Sequence, residues 1–411
     1  MESLINNRYD IIQNIGSGSF GQIYTAVDLK TGDEVAVKME LCKERSLQLC
    51  NEAKIYRILD GAIGIPSIKD FIAKDGTYTA LIIDLLGDSV ESLFQKSNRT
   101  FSLKTVLMLA EQMISRIQLI HSKGIVHNDI KPSNFVMGTY NNSSIVHLID
   151  FGLAGKFRGF YNNKHIEYAD GQKFFGTPEF ASLNAHRGIQ KSRRDDLESL
   201  AYILIYFLKG TLPWLGLNKN KGSTPDNHTN QMNHTNQMNH TKQMNHTNQN
   251  QCLNKKNDQN ELKENSNSEI TKQIFKIKEN TPIEELCLGL PEEFSNFLSH
   301  VRKLEFNEKP DYSFYKKMFR ELFMKQEFQF DNIFEWTCQL PNLYTEKALK
   351  KRQQNENRNH KRPTCFFTSS LPIMNKIKRK DFRALRKCKA QGINISVSHS
   401  RVYTFNCLKE C

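Results

Sequence analysis

One stretch of this chain constrains it more than any other: HNDIKPSNFVMG, from His127 to Gly138, followed by HLIDFGLAG around Asp150. It sets Asp129, Lys131 and Asn134 close together, with Pro132 between them to fix the loop. Asp129 is placed to accept or orient the proton of a hydroxyl nucleophile, Lys131 to stabilise a transferred phosphoryl group, and Asn134 to hold a magnesium ion. Asp150, in an Asp-Phe-Gly triplet, adds a second oxygen ligand for a hard cation that bridges phosphates. The bland alternative, in which each acidic residue merely caps a turn, does not account for these elements occurring in this order with those upstream.

Upstream, YDIIQNI, QIYTAVD and EVAVKME read as strands rich in Ile, Val and Tyr, punctuated by Gly and by the turn Thr31-Gly32-Asp33. Gly16, Ser17, Gly18, Ser19, Phe20 and Gly21 join the first two strands. Such a glycine run lets backbone N–H groups approach phosphate oxygens with no Cβ in the way, but a tight hairpin turn uses the same residues. Position decides between them. A strand follows, not a helix, which argues against a dinucleotide-binding crossover and for the flap that covers ATP phosphates in protein kinases. Lys38 lies on the next strand and Glu52 on the helix after it. A lysine inside an apolar strand needs a counter-charge, which an ATP phosphate and Glu52 would supply. A snorkelling strand lysine explains Lys38 alone, not the set. SLQLCNEAKIYRIL, from Ser46 to Leu59, and the spacing of Val106, Leu109, Met113, Ile117 and Ile120 predict helices. A small sheet first and helices later give an α+β class.

Residues 218–268 break this pattern. The hexamer NHTNQM repeats from Asn227 within an Asn, Gln, His and Lys stretch that cannot bury enough apolar surface to offset its ordering entropy, so a disordered insertion is expected. His228, His234, His240 and His246 recur every six residues, but low complexity explains them better than a metal site. The nine cysteines form no CxxC pair, which excludes an obvious zinc site or disulfide framework. The net charge is +13, and residues 340–411 alone hold 17 Lys/Arg against 4 Asp/Glu, a surplus equal to that of the whole chain. The body is therefore near neutral, and any polyanion is met by the tail. The N-terminus lacks a signal-peptide pattern, and the most apolar run, LESLAYILIYFLKG, is too short to span a bilayer. A soluble intracellular protein, cytoplasmic or nuclear, is the expectation.

The block GTPEFASLNAHRGIQKSRRDDLESLAYILIYFLKGTLPW, with TPIEELC, NEKPDY and the FEW near Trp336, resembles casein kinase 1. Ser182 to Asn184 read SLN where that family writes SIN, and the Ala-Pro-Glu of most kinases is absent. The resemblance implies a bilobal Ser/Thr protein kinase fold over residues 9–337, with a β-rich N-lobe over about 9–86 and a helical C-lobe over about 87–337. It implies ATP and Mg2+ as cofactors, a monomer, and protein substrates with Ser/Thr near acidic or phosphorylated residues. Position by position, it makes Ile83 the gatekeeper and Asp84, Leu85 and Leu86 the hinge. Leu86 offers backbone groups to the base, and Ile15, Ile23, Ala36 and Leu85 form apolar walls beside Gln22 of the flap. Asp196 anchors the catalytic loop. Taken singly, each of these apolar residues is as well explained as ordinary core.

Two departures matter. Asn128 stands where the family writes arginine; in many kinases that arginine clasps an activation-segment phosphate, so constitutive activity is expected. Glu179 stands where casein kinase 1 members carry an arginine for a phosphate already on the substrate, and Glu-Phe here is similar to the vaccinia-related kinases. Weakened recognition of primed substrates follows, although Arg187, Lys191, Arg193 and Arg194 keep the neighbourhood basic. The tail, 338–411, reads as a flexible charged segment. A nuclear-localisation or nucleic-acid patch, or membrane tethering through acylated Cys407 and Cys411 beside the polybasic stretch, are the alternatives. The rival from another class is a pseudokinase scaffold that binds partners through tail or insertion.

Overall fold

The computed structural model describes residues 4–18, 21–41, 47–74, 76–159, 164–217 and 268–339. Ser19 and Phe20 of the flap, nearly all of the 218–268 insertion with its histidine repeat, and the basic tail with Cys407 and Cys411 lie outside the described residues.

The N-terminal part is a six-stranded antiparallel sheet: β1 (Leu4–Ile5), β2 (Tyr9–Gly18), β3 (Gly21–Asp28), β4 (Glu34–Leu41), β5 (Ile68–Lys74) and β6 (Tyr78–Asp84). Their spatial order is β1-β2-β3-β4-β6-β5. Successive side chains on a strand point to opposite faces, and that alternation builds the site. On β4, Val35, Val37 and Met39 join the outer cluster with Tyr24, Ala26, Ala80 and Ile82, which leaves Ala36 and Lys38 on the other face. The β2–β3 pairing shifts register between Asn14 and Gly16, bending the strand just where the glycine run begins. Gly21 sits at φ +115°, and a Cβ there would run into the Met39 carbonyl, so this position accepts only glycine without rearrangement.

Helix α1 (Leu47–Leu59) carries Glu52 beneath this sheet, with Ala53, Tyr56 and Leu59 buried. The C-terminal part is helical: α2 (Val90–Lys96), α3 (Leu103–Ser122), α4 (Leu183–His186), α5 (Arg193–Lys209), α6 (268–280), α7 (Ile283–Leu286), α8 (Glu292–Lys303), α9 (Tyr312–Lys325) and α10 (Glu335–Gln339). The apolar stripe expected of the long helix is realised in α3, where Val106, Leu109, Met113, Ile117 and Ile120 are all fully buried and the Ser102 hydroxyl caps the Thr105 N–H. The apolar run around Tyr202 is α5, buried from Asp195 to Phe207 at the centre of the lobe. Among the described residues no helix is long and apolar enough to cross a membrane. The FEW segment closes the lobe: Trp336 packs on Phe101, and the Glu335 carboxylate accepts the Ser102 N–H at 2.7 Å.

Short two-stranded pairs frame the segment between α3 and α4. β7 (Ile125–Val126) pairs with β10 (Gly155–Lys156), and β8 (Phe135–Met137) with β9 (Val146–Leu148). The two motifs that dominate the sequence lie in the loops between these pairs. A six-stranded sheet followed by a helical part gives the expected α+β, two-lobed architecture.

Candidate active site

A cleft of about 730 Å³ separates the sheet from the helical lobe. Its roof comes from the inward-facing positions of the strands: Ile15, Gly16 and Ser17 on β2, Gly21, Ile23 and Thr25 on β3, and Ala36 and Lys38 on β4. Ile83, Asp84, Leu85 and Leu86 border its back edge. The Gln22 side chain does not enter the cleft. It falls on the opposite face of β3 from Ile23, is exposed, and accepts a hydrogen bond from the Tyr24 hydroxyl. The Asp84 carboxylate turns away from the hinge, accepting the Ser67 N–H at 2.7 Å and pairing with Lys69 at 2.6 Å.

Lys38 is the electrostatic centre of the cleft. Its Nζ lies 2.7 Å from Glu52 Oε2 and 2.7 Å from Asp150 Oδ1, so strand, helix and Asp-Phe-Gly triplet meet on one ammonium. Burial alone would lower the lysine pKa, but the two carboxylates outweigh it and the group ends above its usual value. Burial pushes Glu52 up to about 6 against the pull of Lys38. At Asp150 burial opposes ionisation, yet Lys38 holds the carboxyl below its ordinary range. Two further bonds fix α1 against the triplet. Tyr56 Oη accepts the Asp150 N–H at 3.2 Å, and Gln48 donates to the Gly152 carbonyl at 3.1 Å.

Below, the catalytic loop brings Asp129, Lys131 and Asn134 together. Lys131 Nζ is 2.7 Å from Asp129 Oδ2, and the Thr177 hydroxyl donates to Asp129 Oδ1 at 2.7 Å while accepting from Lys131 at 3.3 Å. Asn134 donates its amide to the Asp129 carbonyl at 2.9 Å, so its Oδ1 is the atom left for a cation. That oxygen and the Asp150 carboxylate both border the cleft and are hard donors suited to Mg2+, which usually binds few protein ligands and keeps phosphate oxygens and water as the rest. Asn128 and Asp150 both adopt left-handed backbone, φ +68° and +64°, a strained geometry for residues other than glycine and typical of functional loops.

The loop is anchored from α5. Asp196 is fully buried; its Oδ2 accepts the His127 N–H at 2.7 Å and faces His121 Nε2 at 2.9 Å, and its Oδ1 accepts the Asn128 N–H at 2.9 Å. Burial opposes its ionisation, but bonds from His121 and the loop keep its pKa low. His127 completes the frame, donating from Nε2 to the Ile149 carbonyl at 3.0 Å and accepting the Asp129 N–H at Nδ1.

This arrangement has a chemical precedent. The lysine pairs with a helix glutamate and an Asp-Phe-Gly aspartate, above a loop that presents a carboxylate, a lysine and a carboxamide to the same cleft; that is the machinery of phosphoryl transfer from ATP. Compared with known protein families, the chain matches the protein kinase domain over residues 9–318. The chain belongs to the protein kinase family. In a kinase, the ATP and Mg2+ implied by the family would be held by Lys38, Asn134 and Asp150, with the cation neutralising charge on the phosphates.

The sequence did not single out several residues that the structure places at this kinase site. Val136 and Ile149 border the cleft, each beside a named motif residue, and apolar positions flanking Asn134 and Asp150 were the available signal. Thr177 touches Asp129, and the GTP of GTPEF marked it only weakly. Lys191, one of the residues that make this neighbourhood basic, is buried and donates to the carbonyls of Asn128 at 2.9 Å and Phe175 at 2.6 Å. The other basic side chains of that group also have internal partners. Arg187 pairs with Glu279 at 3.0 Å, Arg193 donates to the Asn307 carbonyl and Arg194 to the Leu304 carbonyl. Glu179 accepts the Trp214 indole N–H at its carbonyl.

Proposed function

We propose that this kinase is an active Ser/Thr protein kinase of casein kinase 1 type that transfers the ATP γ-phosphate to protein hydroxyls. The observation that carries the reading is Lys38 bonded at once to Glu52 and Asp150, an assembled nucleotide site that a scaffold has no need to keep. In this mechanism Lys38 holds the ATP phosphates, Asn134 and Asp150 hold the cation, Asp129 takes the substrate hydroxyl's proton and Lys131 balances charge on the moving phosphoryl group. Ile83, Leu85, Leu86, Ile15, Ile23 and Ala36 enclose the adenine, with Leu86 offering backbone groups.

The SLN to DDLES block that carries the family resemblance is a connected unit. Ser182 donates to Asp195 at 2.5 Å, and Glu198 Oε1 accepts from the Leu183 N–H, Tyr202 and Arg302. The partners already taken by Arg187, Lys191, Arg193 and Arg194, together with the carboxylate of Glu179, support weak recognition of phosphate on the substrate. Substrates are therefore Ser/Thr sites whose choice does not depend on priming.

The test is transfer of labelled γ-phosphate to a Ser/Thr peptide library, with Asp150→Asn as control and phosphoamino-acid analysis of the products. Activity at least a hundredfold above the control, on Ser or Thr, and less than a fivefold preference for primed over matched unprimed peptides, is expected. Wild-type activity no higher than the control's would favour the scaffold; a large primed preference would overturn the reading of Glu179.

A further inference from the structure

The segment that runs from Phe175 to Ala181 sits beside Asp129 and lines the approach to the site. Two lysines hold it from beneath. Lys191, 5% exposed, donates to the carbonyls of Phe175 and Asn128, and its ammonium lies 3.9 Å from the centre of the Phe175 ring. Lys278, fully buried on α6, donates to the carbonyls of Pro178 at 2.8 Å and Ala181 at 2.7 Å, beneath the rings of Tyr202 and Trp214.

Burying an amine is costly, and the bonds that offset it go to main-chain carbonyls: three in the segment 175–181 and one, from Lys191, at Asn128 of the catalytic loop. Among the described residues no carboxylate lies within ion-pair distance of either ammonium; Glu198 and Glu179 act on Lys278, and Asp195, Asp196 and Asp129 on Lys191, only from farther away. Between the two attachment points Gly176 adopts φ +102°, with its Cα so close to Lys191 Nζ and the Asn128 carbonyl that a Cβ would crowd both, at 3.2 and 3.0 Å. The loop is thus fitted around Lys191. Asn128, meanwhile, directs its side-chain amide to the Leu153 carbonyl at 2.9 Å and supplies no cation for a phosphate.

We infer that Lys191 and Lys278 are positioning residues that lock the substrate-side segment in its working form, taking the place of a phosphate clasp. The lock has two keys. Lys191 ties the segment to the catalytic loop next to Asp129, so it sets the distance between substrate hydroxyl and carboxylate. Lys278 ties it to α6, the first described element after the 218–268 insertion, so that insertion ends in the helix that supports the peptide site. The inference rests on the chain being an active kinase for its kinetic consequence, but not for its structural one.

The experiment uses the full chain, treated with phosphatase, as wild type, Lys191→Met and Lys278→Met, with Lys191→Gln and Lys278→Gln as milder variants that keep a neutral donor group. Hydrogen exchange of residues 175–181 is read first, because it does not depend on turnover. At least tenfold faster exchange there in both Met variants, a smaller rise in the Gln variants, and unchanged exchange in β3 and β4 are expected. Peptide kcat/KM is expected to fall at least tenfold through both kcat and KM, with ATP affinity within twofold of wild type. Unchanged exchange at 175–181 would overturn the lock whether or not the wild type is active. Faster exchange with unchanged peptide kinetics would overturn its role in catalysis. Global loss of fold in both the Met and Gln variants of a site would make that lysine a core residue and overturn the inference for it, and inactivity of the wild type with a normal exchange response would refute the functional proposal alone.

Discussion

Asp196→Asn tests how the catalytic loop is held. The substitution keeps size and shape but exchanges a carboxylate that accepts three bonds for a carboxamide with one accepting oxygen. If that oxygen takes the Oδ2 position, it keeps His127 N–H and His121, and the new amide N–H2 faces the Asn128 N–H across 2.9 Å, donor against donor. A lost hydrogen bond to a charged group is worth about 1.5–3 kcal/mol, and the two retained bonds weaken from charged to neutral by roughly 1 kcal/mol together. The sum is about 2.5–4 kcal/mol, overlapping the roughly 3–5 kcal/mol of a broken buried charge interaction. Urea unfolding should show that loss. In addition, kcat measured well below the unfolding midpoint should drop by about a hundredfold, since a displacement near 1 Å at a reacting group costs that much. A variant destabilised by less than about 1 kcal/mol, with kcat within twofold of wild type, would refute the anchoring role.

Three further outcomes follow from the site. Because Glu52 ionises at about 6 and must be charged to pair with Lys38, kcat/KM for ATP at saturating magnesium should fall as pH drops through 6, and Glu52→Gln should lose activity at pH 7.5 and remove that limb. The sign for stability is opposite: the raised pKa favours the folded protein most below the ordinary 4.5, and that contribution is lost as pH rises through 6. Gly21→Ala, which sets a Cβ against the Met39 carbonyl at φ +115°, should cost about 1–3 kcal/mol of strain and raise KM for ATP several-fold without changing the phosphorylated residue; an unchanged KM would count against the flap's fit. Deleting residues 340–411 from a tagged chain should leave peptide kinetics within twofold and shift its location in the cell, since the charge surplus lies there; an unmoved chain would deny the tail any targeting role.

Chemistry was more legible in this sequence than support. Lys38, Asp129, Asn134 and Asp150 are legible because phosphoryl transfer needs those groups and they sit in recognisable short motifs, and the period-two alternation of β4 sets Lys38 and Ala36 on one face and Val35 and Val37 on the other. Gln22, within the flap, falls on the far face by the same alternation, so its side chain is exposed. Lys278 leaves only a weak signal in the sequence. It follows Ile270 and Ile274 at four-residue intervals, which is the buried stripe of α6, and a lysine there demands an internal partner. Lys191 left none, since it lies outside a regular element and its partners are main-chain carbonyls on two distant loops. Side chains that bond to backbone carry no complementary residue type, so no pairing rule exposes them.

The central claim is that Asp129 takes the substrate proton in a site that binds ATP independently of it. Single-turnover phosphoryl transfer to a Ser/Thr peptide, measured beside nucleotide affinity for wild type and Asp129→Asn, addresses it directly. The account predicts transfer slowed by at least a hundredfold with the ATP dissociation constant within threefold; transfer by the variant at the wild-type rate, or absence of transfer by the wild-type chain, would contradict it.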